Sequence, residues 1–234
     1  MLQTLLGAIL AIATTIVIEY VRRPKLALSL MTAVDMTYPA GHSLATSARY
    51  LLISCTNKPL PFIFRWMSRN PALQCHGTVT FHHLDGQNIF GRTMPMRWSG
   101  TTEPVPLIFI GANPGRIIDP NRMSVDSRID IHAGESGRAD TAVKFDNEPE
   151  CYGWSNLNYF SEPQWRNPDW KIGNGRYLVR LEAVCSGGRC AGVFRLINDV
   201  GQKDFRLETC QAEDLKKFAL PPTKTPLQIT SIRH

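Results

Sequence analysis

The sequence predicts a mainly β protein, one N-terminal transmembrane α-helix followed by an antiparallel β-sandwich. Three observations carry that prediction. An unbroken apolar run of about 20 residues opens the chain, the length that crosses a bilayer as a helix. Short runs rich in β-branched and aromatic residues follow, divided by Gly, Pro, Asn and Asp. No amphipathic helical pattern of useful length interrupts them before the C-terminal stretch.

Residues 2–21 read LQTLLGAILAIATTIVIEYV. At about 1.5 Å rise per residue, such a helix spans roughly 30 Å of hydrocarbon. Its only charge is Glu19, one turn before Arg23, the spacing at which a helical carboxylate meets a cation. Thr4, Thr14 and Thr15 can return their hydroxyls to the preceding turn. A cleaved signal peptide would place cations before the apolar core and small residues after it. Here the one A-x-A, Ala11-Ile12-Ala13, falls mid-run. The expected partner of residues 2–21 is therefore the lipid bilayer. Arg22, Arg23 and Lys25 flank the C-terminal end of the run, and positive flanks are retained in the cytoplasm, which places the following domain there. Pro24 ends the helix. The chain divides into an anchor (1–25), a β-sandwich domain (26–211) and a polar, Pro/Thr-rich stretch (212–234) expected to be a flexible tail.

About 205 residues after the anchor suffice for one sizeable domain. The net charge of +6 is scattered rather than striped, which suits an anionic inner leaflet and gives no reason to expect a nucleic-acid partner. The six cysteines of a cytosol-facing domain are expected to stay reduced.

The expected strands are 26–33, 48–55, 77–84, 106–110, 139–145, 176–184, 191–198 and 204–208. In RYLVRLEAV, Tyr177, Val179, Leu181 and Ala183 alternate with Leu178, Arg180 and Glu182. Gly187-Gly188 in CSGGRC and Asp85-Gly86 in HLDGQN read as hairpin connections.

The stretch GNGRYLVRLEAVCSGGRCAGVFRLIND resembles the last two strands of immunoglobulin-like and fibronectin type III domains. In those domains a Gly-x-Tyr-x-Val/Leu pattern enters the penultimate strand, and Tyr177 would be the tyrosine that packs at the corner. The preceding IHAGESGRADTAVKF is similar to the turn and strand before it. The resemblance implies an immunoglobulin-like sandwich, departing from antibody domains in lacking a Cys…Trp…Cys core. The whole chain also resembles prokaryotic single-pass membrane proteins with one N-terminal helix before a β-sandwich. Neither likeness carries a function.

Candidate chemistry is thin. Cys75, His76, His82 and His83 lie close in sequence, but adjacent strand histidines point to opposite faces, so no metal site is expected. His82 and His83 read as solvated. Cys185 and Cys190 flank a glycine turn across which a disulfide is geometrically plausible; the cytoplasmic orientation favours two thiols. GESGR lacks the spacing of a nucleophile elbow and GANPGR the lysine of a phosphate loop, so neither an enzyme nor a cofactor is expected.

What stands out is FDNEPECYGWSNLNYFSEPQWRNPDWKIGNG, an insertion carrying Tyr152, Trp154, Tyr159, Phe160, Trp165 and Trp170. Most of these rings should pack on the sandwich, Trp154 first among them. Trp165 and Trp170, each near a proline and an asparagine, are expected at the surface, with Arg166 between them, as anchors for a protein partner. The expected function is a membrane-tethered interaction module. The alternative is an extracytoplasmic ligand- or glycan-binding domain of opposite topology with oxidised cysteines.

Overall fold

The computed structural model describes residues 2–37, 47–64, 66–104, 107–110, 113–116, 127–163, 165–199 and 201–218. Helix α1 runs from Leu2 to Arg22. It is long and apolar enough to cross a membrane, and nothing of its apolar span is buried inside the fold. Thr14 and Thr15 donate their hydroxyls to the carbonyls of Leu10 and Ala11 at 2.8 and 2.9 Å, so neither presents an unpaired donor. Glu19 pairs with Arg22 at 3.5 Å rather than with Arg23, whose cation lies over the Tyr20 ring.

The strands follow in chain order: β1 (Leu26–Leu30), β2 (Val34–Thr37), β3 (Ser47–Asn57), β4 (Ala72–His82), β5 (Met94–Pro95), β6 (Arg97–Trp98), β7 (Leu107–Ile110) and β8 (Asn113–Arg116). The second half adds β9 (Ile129–Ile131), β10 (Ser136–Phe145), β11 (Cys151–Gly153), β12 (Lys171–Ile172), β13 (Gly175–Cys185), β14 (Gly188–Asn198) and β15 (Arg206–Thr209). One sheet is ordered β1-β3-β10-β11-β12, with β2 also on β3 and β6 on β10; the other is ordered β15-β14-β13-β4-β5, with β9 on β4. The described pairings are antiparallel. Among the described residues, strands β7 and β8 pair with each other alone.

Alternation along the strands decides what each face covers. On β3, Leu51, Ile53 and Cys55 turn inward and meet Val79, Phe81, Val179, Leu181 and Leu196 of the second sheet, forming the inter-sheet core. Ala48, Tyr50 and Leu52 of the same strand turn to the opposite face of the first sheet. Each expected strand corresponds to an observed one, residue 106 apart, which lies outside the described residues. The sequence pattern missed β2, β5, β6, β8, β9, β11 and β12, because runs of two to four residues are too short to show a period. Strands β13 and β14 close through Ser186-Gly187, where Gly187 takes φ 88°, and the Asp85-Gly86 turn places Gly86 at φ 96°. Both are conformations that glycine adopts without penalty.

Two expectations are corrected. The C-terminal tail does not begin at 212: α2 (Ala212–Lys216) packs on the second sheet, with Asp214 buried and bound to Arg195 at 2.8 Å and Lys217 at 3.3 Å. Residues 219–234 lie outside the described set. Nor is His82 solvated. Phe218 stacks edge-on against it at 4.8 Å, and its ring nitrogens bond to the Gly86 carbonyl and the Thr80 hydroxyl. Burial then pushes its pKa down.

Candidate functional site

The insertion after β10 forms a lid on the outer face of the first sheet. Ala48, Tyr50, Leu52, Val143 and Phe145 of the sheet pack with Tyr152, Trp154, Tyr159 and Trp165 of the lid as a second apolar cluster. A bulge between Asp140 and Ala142 lies in the β3–β10 ladder, where the register shifts. Trp154 is the centre of the cluster. Its ring lies 5.3 Å from Tyr50, 5.5 Å from Tyr159 and 6.4 Å from Trp165, mostly edge to face, the arrangement aromatic quadrupoles favour.

Asn158 holds the lid in shape. Fully buried, its amide oxygen accepts from the Ser155 backbone N–H at 2.9 Å, and its amide nitrogen donates to the Trp165 carbonyl at 3.1 Å. The Trp165 N–H returns to the Asn158 carbonyl at 3.0 Å. This two-way grip keeps Trp165 at φ 68°, a left-handed conformation that a bulky residue rarely adopts.

The surface positions expected for Trp165 and Trp170 are therefore corrected, since their exposures are only 7% and 3%. The flanking Asn and Pro residues shape turns that tuck the rings inward: Asn167 caps the single turn Pro168–Trp170 through the Asp169 N–H. Trp170 joins the inter-sheet core, 5.0 Å from Phe90, with the Arg92 cation 4.8 Å above its ring. Arg166 is equally committed. Its Nε bonds Glu148 at 2.6 Å and its guanidinium lies 4.3 Å from the Phe145 ring centroid.

Beneath the lid lies a buried ion pair that the sequence did not disclose. Arg97 donates to Asp140, and its cation lies 5.5 Å from the Tyr159 ring, whose hydroxyl bonds Glu103 at 3.2 Å. Burial pushes the Asp140 carboxyl up to about 6 despite the pull of Arg97. Burial also works against the Arg97 charge, yet Tyr159 and Asp140 outweigh it and hold the guanidinium protonated. Shifted groups are often functional; these two are 4% and 6% exposed and packed away from solvent. Lys144 is likewise internal, tying Asn198 at 2.8 Å and the carbonyls of Pro149 and Asp199.

Six free thiols are present, and four converge between the sheets. Cys185 and Cys190 are not opposite each other: Cys185 faces Gly188 and Cys190 faces Ala183 across the hairpin. Cys190 instead interacts with Cys55 of the other sheet, and Cys185 with Cys75 of β4. The shared hydrogen bond raises the Cys55 pKa, burial adding to it, and lowers that of Cys190. Burial pushes Cys75 up to about 12. Among the described residues no group of His, Cys, Asp and Glu is arranged to hold a metal ion. A shallow cleft of about 140 Å³, lined by residues including His76, Thr78, Thr93 and Ser127, is smaller than an ordinary small-molecule site.

No protein-family model, curated protein or solved structure matches this chain. The site is defined by its own geometry: a mainly β domain with a packed aromatic lid, carried on one apolar helix.

Proposed function

We propose that the protein is a membrane-tethered interaction module that holds its β-domain at the cytoplasmic face of a bilayer for a protein partner. The observation that carries this reading is α1, which is apolar on all sides and unburied along its span. Left in water, that surface would forfeit about 25 cal/mol for every Å² that lipid could cover. Arg22, Arg23 and Lys25 at its C-terminal end support the orientation. The finer description of the sandwich as immunoglobulin-like is supported by Tyr177, whose hydroxyl donates to the Asn174 carbonyl at 3.2 Å, as a corner tyrosine does. The aromatic loop enters as a rigid plate stiffening the first sheet, with Trp165 and Trp170 facing inward.

A second reading, an extracytoplasmic ligand-binding domain of opposite topology, is favoured by one observation: the Cys55–Cys190 and Cys75–Cys185 thiols meet in pairs that an oxidising compartment could bridge. A topology reporter fused at His234 separates the two. A cytoplasm-active reporter should be active, with the chain resisting alkaline carbonate extraction. Activity only from an exterior-active reporter would reverse the reading.

A further inference from the structure

The segment from Lys58 to Pro71, KPLPFIFRWMSRNP, joins β3 to β4, and its largest side chains lie outside the fold. Phe62 is 77% exposed, Ile63 73% and Trp66 75%, whereas Trp98, Trp154, Trp165 and Trp170 are all buried. Three large apolar side chains so close together on one loop make an exposed apolar patch.

The loop's place in the fold says what covers it. Helix α1 ends without a further turn to satisfy its last carbonyls, and this loop supplies the donors. The Asn70 N–H donates to the Arg22 carbonyl at 2.8 Å, and the Arg69 guanidinium reaches the carbonyls of Val21 and Arg23. In return the Arg22 side chain donates to the Ser68 carbonyl at 3.2 Å. Asn57, fully buried, closes the base: it accepts from the Lys25 N–H at 3.1 Å and donates to the Asn70 and Ile131 carbonyls at 3.1 and 3.2 Å. The loop is thus built onto the end of the helix, at the depth where an apolar span gives way to Arg22, Arg23 and Lys25. Lys58 and Arg69 add cations there, against the carboxylate of Glu19. Tryptophan and phenylalanine beside cations suit the boundary between acyl chains and anionic headgroups.

We propose that Phe62, Ile63 and Trp66 form a membrane-interface foot, inserting into the headgroup layer of the same bilayer that α1 enters and recognising anionic phospholipid. The foot fixes the height and tilt of the β-domain over the membrane, which a helix joined through Pro24 and Lys25 alone would leave loose. This inference rests on the reading of α1 as a membrane span, so its test reports on both.

The full chain is reconstituted into vesicles of phosphatidylcholine and phosphatidylglycerol carrying spin-labelled acyl chains, and tryptophan fluorescence is compared with that of Trp66→Phe. The expected result is a lipid-quenched, blue-shifted component that is lost in Trp66→Phe, strongest for labels near the headgroups and weaker in phosphatidylcholine alone. Circular dichroism of the variant should match the parent, because position 66 is outside the core. If the chain resists carbonate extraction but its fluorescence is unquenched by lipid and open to acrylamide, the foot is overturned and the anchor stands. Shielding from both lipid and acrylamide would overturn it in favour of a second copy of the chain covering the loop. Extraction of the chain by carbonate would overturn anchor and foot together.

Discussion

Truncating Trp165 to alanine discriminates a lid from a recognition surface. The side chain is 7% exposed and meets the Trp154 ring at 6.4 Å and 77°. Removing a buried tryptophan costs about 3–5 kcal/mol, part from lost transfer free energy and part from the cavity left behind. For a domain of this size each kcal/mol shifts the melting temperature by about 2–4 °C, so Trp165→Ala should melt roughly 6–20 °C lower. Trp154→Ala should fall at the upper end, since that ring also touches Tyr50 and Tyr159. The double variant should lose less than the sum, by roughly 0.5–1.5 kcal/mol, the excess worth of one aromatic pair. The assay is thermal and urea unfolding of the detergent-solubilised chain, followed by far-ultraviolet circular dichroism. A Trp165→Ala variant that melts with the parent, or strict additivity with Trp154→Ala, would refute the packed lid and restore the ring to the surface.

Three further outcomes are expected. Arg97→Met should destabilise by about 3–5 kcal/mol because it strands the Asp140 carboxylate, while Arg97→Met with Asp140→Leu should recover most of that loss, read by urea midpoints. Asp140 has a folded pKa of about 6 against 3.8 unfolded, so its contribution to stability is full below pH 3.8 and is lost as pH rises through 6. Asp140→Asn should flatten a urea-midpoint series between pH 4 and 7, over which the parent loses stability as pH rises. As for the thiols, protein quenched inside cells and then denatured should alkylate at all six cysteines if the domain is cytoplasmic. If bridges are found by mass spectrometry, they should join Cys55 to Cys190 and Cys75 to Cys185; a Cys185–Cys190 bridge would contradict the observed register.

The sequence by itself determined the elements whose signal is local. A 20-residue run this apolar needs no partner to be read as a membrane-length helix, and the alternation of Tyr177, Val179, Leu181 and Ala183 announces a strand with one buried face. Gly86 and Gly187 announced their turns because few other residues accept positive φ. Only the tertiary structure decided which face of the first sheet the insertion would cover. Prolines and asparagines around Trp165 and Trp170 looked like surface residues. They shape turns, and where a turn aims its ring depends on the sheet beneath it. The thiol pairs were hidden because Cys55 and Cys190 are 135 residues apart (190 − 55), brought together by the packing of two sheets. The Arg97–Asp140 pair was invisible because both residues are ordinarily exposed, and their burial follows from a bulge and a lid closing over it. The place of PFIFRW in the molecule was not legible in the sequence. It depended on Asn70 and Arg69 capping the last carbonyls of α1, a contact between segments some 46 to 48 residues apart.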